Sequence, residues 1–86
     1  MAIDLNREAE AVHAEGVRLQ SEGWLGEASS PSQVAAYVAA SERVEALTPS
    51  EVIAIVKQGL DVDVAASNDA AVRDLARDVL LRRAQA

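Results

Sequence analysis

The chain has no cysteine and no phenylalanine, and only one histidine, one tryptophan and one tyrosine. Without cysteine there is no disulfide scaffold, no thiolate nucleophile and no sulfur ligand for zinc. With His13 alone, acid–base catalysis and imidazole metal ligation have a single residue to draw on. As a catalytic base, His13 would need an orienting acid and a nucleophile, and no constellation in the sequence supplies them. With Trp24 and Tyr37 the only aromatics, the core must be built from small aliphatic side chains. No apolar run is long enough to span a bilayer, and no signal-peptide core follows Met1. The expectation is a cytoplasmic protein with no membrane partner.

What is present is alanine, acid and helix punctuation. Half of the 86 residues are hydrophobic, and they recur with a helical period, so the chain reads as one folded domain over 1–86. A chain this short buries a modest share of its surface and gains from docking or dimerising. The net charge is −6, which argues against direct nucleic-acid binding and against anionic membranes. The charge is uneven. Residues 1–72 set twelve acids against Arg7, Arg18, Arg43 and Lys57, a balance of −8. Residues 73–86 set four arginines against Asp74 and Asp78, a balance of +2.

Four helices can be placed by caps and spacing. The first starts at Asp4 and runs to about Glu22. Its Leu5, Ala9, Val12, Gly16 and Leu19 form a heptad seam, with Glu8, Glu15 and Glu22 repeating along one flank. Gly23 terminates it, and Trp24 is expected to fold back on Leu19. After a loop over 23–30, Ser30, Pro31 and Gln33 start the second helix through a capping box. Its expected buried face is Val34, Tyr37, Val38, Ser41 and Val44. Glu45 falls on the same apolar arc, so it either reaches water at the helix end or meets a partner.

The third helix has the clearest start. Thr48 caps, Pro49 takes the first helical position, Glu51 answers Thr48, and Leu47 staples to Val52. It is expected to end at Gly59, with Leu60 folded back on Ile55. Its Val52, Ile53, Ile55 and Val56 cover a wide arc, which predicts that helix 3 is central to the core. Leu60 to Val64 reads as an extended connection. Ser67 or Asn68 then caps a fourth helix to about Arg83, burying Val72, Leu75, Ala76, Val79 and Leu80. Asp69–Arg73 and Asp78–Arg82 are i,i+4 pairs. Leu81 points off the apolar stripe. The predicted fold is therefore all-α, a small bundle of four short helices with the third at its centre.

Motifs for bound groups fail on inspection. Asp61-x-Asp63 invites calcium, but the glycine and glutamate positions of an EF-hand loop are Ala66 and Val72 here. Glu8, Glu15 and Glu22 lie about 10 Å apart along the helix, too far for a shared metal. Gly23-Trp24-Leu25-Gly26 lacks the spacing and the lysine of a phosphate loop. Arg73 and Arg77 could touch phosphate, but Asp69, Asp74 and Asp78 spoil the field. No cofactor is expected. Trp24-Leu25-Gly26 between two helices resembles the turn of the WxG family of small secreted helical-hairpin proteins. That family has two long helices and a tail tyrosine followed four residues later by an acid. Here Pro31 and Pro49 divide the chain, and Ser41 stands four residues after Tyr37.

These readings lead to a non-enzymatic, acidic protein-binding module: an inhibitor, adaptor or antitoxin-like regulator acting through helix surfaces. The surfaces expected to meet a protein partner are Leu5, Glu8, Val12, Glu15, Gly16, Leu19 and Glu22 of helix 1, and Leu81 with the arginines of helix 4. The helix 1 seam is expected to lie against another helix, in the chain or across an antiparallel homodimer, with a preference for the dimer. The alternative is an acidic nucleic-acid mimic, such as a phage or mobile-element inhibitor, that fills a basic groove of a nuclease or DNA-binding protein.

Overall fold

A computed structural model describes residues 3–23, 26–27, 29–61 and 69–85. Over these residues the chain forms four helices: α1 (Leu5–Ser21), α2 (Pro31–Ala46), α3 (Pro49–Leu60) and α4 (Asp69–Gln85). The caps follow the local chemistry. The Asp4 carboxylate accepts from the backbone amides of Asn6 and Arg7 at the start of α1. Gly23, at φ +73°, takes the left-handed turn after α1, and its amide donates to the Gln20 carbonyl at 3.1 Å. That is one of the two hydrogen bonds of a Schellman end. At α3 the full capping box forms. The Glu51 amide donates to the Thr48 hydroxyl, and the Thr48 amide donates to the Glu51 carboxylate at 2.9 Å. Leu47 and Val52 are both buried, as a hydrophobic staple requires.

Two ends differ from expectation. Ser30 precedes Pro31 at the start of α2 but makes no side-chain cap, so the capping box with Gln33 does not form. Gly59 does not stop α3. The helix runs on through Leu60, and Asp61 closes it in the left-handed conformation at φ 54°, a region that Asp tolerates better than most residues. Gly59 is needed for packing instead. A Cβ there would sit 2.4 Å from Cγ1 and 2.9 Å from Cγ2 of Val79 on α4.

The helix that organises the fold is α4, which packs against all three others. The broadest single interface is between α1 and α2. They run antiparallel, with Glu8 beside Arg43 and Gly16 beside Ala35 and Ala36. Helix α3 packs on α4 and only grazes α1, so it is not central. Its Val52, Ile55 and Val56 are nonetheless fully buried. A wide apolar arc reports how deeply a helix is covered. It does not report how many neighbours cover it, and twelve residues offer little length to meet several.

The buried face of α2 is also turned from the expected one. Ala35, Ala39, Ala40 and Val44 are buried, while Tyr37 is 48% exposed and Val34 37%. Large apolar residues suggested the wrong arc because alanine carries little weight on a helical wheel. Here alanine wins, since α1 presents Ala9 and Gly16 and the two backbones come close. On α4, Val72, Ala76, Val79 and Leu80 are buried as expected, Leu75 is exposed, and Leu81 packs partly against the core rather than pointing away. No helix among the described residues is long and apolar enough to cross a membrane. Expectations for Trp24 on Leu19, the 62–68 connection, the Ser67 or Asn68 cap and the Asp69 side chain lie outside the described residues.

Candidate functional site

The helix 1 seam faces inward. Leu5, Val12 and Leu19 are buried, and the Gly16 Cα lies against the α2 backbone, where an added Cβ would be 3.6 Å from Ala36. The second helix that this seam called for is α2 of the same chain. The expected seam for a homodimer is therefore occupied, and these four residues do not present a surface. Glu8 is buried too. Its carboxylate accepts a two-pronged hydrogen bond from Arg43 on α2: Nη2 to Oε1 at 2.9 Å, and Nε to Oε2. This fork geometry is the strong form of a carboxylate–arginine pair, and it raises the Arg43 pKa, chiefly through that hydrogen bond.

Glu15 and Glu22 stay at the surface. Arg18 stands between them, donating from Nε to Glu15 and from Nη1 to Glu22 at 2.8 Å. The Arg18 hydrogen bond lowers the Glu15 pKa against a smaller opposing effect of burial. Each glutamate of the acidic flank thus has an arginine partner, Arg43 at Glu8 and Arg18 shared by the other two. A row of unscreened negative charge, as a nucleic-acid mimic would present, is not what these three glutamates form.

The open chemistry lies on another face, between α2 and α4. The row Val34, Tyr37, Ser41 and Glu45 on α2 runs beside Arg73 and Arg77 on α4. Two contacts fix the alignment. The Arg77 guanidinium lies 4.6 Å from the centroid of the Tyr37 ring. Arg73 Nη1 donates to the Val44 carbonyl at 2.7 Å. Arg77 also pairs with Asp74 at 3.1 Å. Between the rows is a cleft of about 210 Å³, lined by Ser41, Val44, Glu45, Arg73, Asp74 and Arg77. The Ser41 hydroxyl is buried at its wall with no hydrogen-bond partner. Leaving such a group unpaired costs about 1–3 kcal/mol. Glu45 is exposed at the rim, which answers how it can stand on the apolar arc of its helix.

Other hollows are shallower in chemistry. A notch of about 340 Å³ opens where α1, α2 and the end of α4 meet, with Val17 and His13 on its rim. Val17 is 53% exposed, and His13 makes no hydrogen bond or ion pair among the described residues. A second hollow of about 520 Å³ lies between the starts of α1 and α3. Among the described residues no group of three or more His, Asp or Glu side chains is placed to hold a metal ion.

The helix 4 arginines were legible as a surface from the sequence, whereas Leu81, expected beside them, packs partly against the core. Tyr37 and Ser41 were not, because both were assigned to the core. The signal that pointed here was Glu45, an acid on an apolar arc with a serine one turn before it. Comparison with protein-family models, with curated proteins and with solved structures finds no match for this chain.

Proposed function

We propose that this chain is a non-enzymatic protein-binding module that docks its partner on the α2–α4 face. The observation that carries the reading is the Tyr37–Arg77 pair. A half-exposed tyrosine is stacked under an arginine, with Val34 exposed one turn before it and Ser41 one turn after it on the same helix. Tyrosine and arginine are the residue types that dominate binding energy at protein interfaces. Holding the ring in place lowers the ordering cost of docking. An exposed cation–π contact adds only about 0.5–1 kcal/mol to the fold, so stability alone is a weak reason for it. Such a module would act as an inhibitor, adaptor or regulator by occupying another protein's surface.

The test is capture of partners from an extract of the source organism with wild-type and Tyr37→Ala baits, both checked for equal helix content. A species retained by wild type and lost with Tyr37→Ala supports the reading. Capture indifferent to Tyr37 but collapsing with added salt would point to charge-driven docking in a basic groove, the nucleic-acid-mimic alternative.

A further inference from the structure

We infer that the cleft between α2 and α4 is a socket for one basic side chain, an arginine or lysine presented by the partner protein. The inference rests on the docking reading above and names what is recognised there.

Several polar groups in the cleft are already engaged. On the α4 wall, Arg73 donates to the Val44 carbonyl, and Arg77 is held between Asp74 and the Tyr37 ring. On the α2 wall, the Ser41 hydroxyl has no hydrogen-bond partner, and Glu45 has no ion-pair partner among the described residues. Ser41 and Glu45 are four residues apart on one helix, which places their Cβ atoms about 5–6 Å from each other. A guanidinium or ammonium carries several N–H donors on one head group and can reach both. Arg73 and Arg77 keep further N–H donors, and the Ser41 hydroxyl can donate or accept, so hydrogen bonding alone does not choose the ligand. What favours a cation is the Glu45 carboxylate, which an incoming acid would meet.

Three further features agree. The volume of about 210 Å³ falls below the roughly 300–1,000 Å³ of small-molecule sites, so it suits a single side chain. The cleft lies at the C-terminal turn of α2, where the backbone carbonyls favour a cation. Arg73 on the Val44 carbonyl is an instance within the chain. The net charge of −6 draws a basic partner toward the surface. Against these stand the two arginines and the first turn of α4, reached at Ala70, whose amides favour an anion. The experiment separates the two outcomes.

The full chain, labelled with ¹⁵N, is titrated with N-acetyl-arginine methylamide and separately with N-acetyl-glutamate methylamide at constant ionic strength. Saturable shifts at the Ser41, Glu45 and Arg73 amides with the arginine probe alone are expected. Glu45→Gln keeps an acceptor oxygen but removes the charge, and should weaken that binding about threefold, as the loss of one exposed ion pair does. Ser41→Ala should weaken it less. Glu45 is exposed, so its replacement leaves the fold intact, and unchanged helix content and melting verify this. Shifts with the glutamate probe instead, or no saturable shift at Ser41 with either, overturn the socket. If Tyr37→Ala abolishes partner capture while Glu45→Gln leaves arginine binding unchanged, the docking face stands and the socket falls. If the arginine probe binds as stated while Tyr37→Ala captures as well as wild type, the docking face is the reading that fails.

Discussion

The α1–α2 and α3–α4 interfaces each contain one glycine, and the two glycines are there for opposite reasons. At Gly16 an added Cβ would meet Ala36 at 3.6 Å, an ordinary contact. At Gly59 it would drive to 2.4 Å from Val79 Cγ1. The surroundings differ in the same sense. Between α1 and α2 the buried residues are mostly small, Ala9, Ala35 and Ala39, with the Glu8–Arg43 pair at one end. Between α3 and α4 they are bulkier and branched: Val52, Ile55, Val56 and Val79. One interface is closed by backbone proximity and one ion pair. The other depends on side-chain volume. A glycine in a helix marks close approach in both cases, but only neighbouring volume says whether it is required.

The largest effect should come from removing volume where volume matters. Ile55 is fully buried, and Ile55→Ala is expected to cost about 4 kcal/mol, a large part of the stability of a domain this size. Val12→Ala, on the α1 side, should cost about 2 kcal/mol, since less is removed and small neighbours can close in. Urea denaturation measures both, and equal losses would erase the contrast between the interfaces.

Next comes the ion pair. Arg43→Met leaves the buried Glu8 carboxylate without its partner and should cost about 2 kcal/mol, less than a fully buried pair because Arg43 is partly solvated. The double variant Glu8→Leu with Arg43→Met should recover most of that loss. Failure of the double variant to recover would show that the pair contributes net stability to α1–α2 rather than filling space.

The two glycines make the sharpest comparison. Gly59→Ala forces apart two helices at a valine whose χ1 is stiff. Overpacking outweighs the gain in helix propensity, for a net loss of about 1 kcal/mol. Adding Val79→Ala to Gly59→Ala should relieve the clash. Gly16→Ala has room and should stabilise by about 0.5–1 kcal/mol. Thermal melts of the single variants should move in opposite directions, and a shared direction would break the argument.

The smallest effect belongs to the α3 cap. The backbone amide and then the hydroxyl of Thr48 hold the Glu51 carboxyl below its ordinary value of 4.5. A folded pKa below the unfolded one gives stability that is present above the unfolded value and lost as pH falls through the folded one. Wild type should therefore exceed Glu51→Gln in stability near neutral pH. The two should converge below pH 4.5, since a protonated Glu51 resembles glutamine. A difference independent of pH would mean that the carboxylate charge is not what the cap uses.

The parts of this fold legible in the sequence are those decided within four or five residues. Asp4, Thr48 with Glu51, and Gly23 act on their own backbone neighbours, and the structure places each where the residue types require. The α1 seam was legible as a surface needing a close partner, because Ala9 and Gly16 say so locally. Which helix fills it depends on α2, whose alanines carry no wheel signal strong enough to compete with Val34 and Tyr37. The same error hid the candidate site, since a tyrosine assigned to the core is not sought on the surface. The central role of α4 was illegible for a related reason. Contact with three helices is a property of the assembled chain, and no window of α4 encodes it.

That role of α4 has a temporal side. Arg83 donates to Asn6 at 3.0 Å across 77 residues of chain, so the last helix meets the first. Helices α1 and α2 are close in sequence and can find each other quickly, whereas α4 must close the longest loop in the molecule. During synthesis the first three helices therefore emerge with the surfaces that α4 will cover still exposed to solvent. For that interval the core residues that α4 covers are sticky rather than buried, and a chaperone or nascent neighbour would meet a different molecule from the finished one.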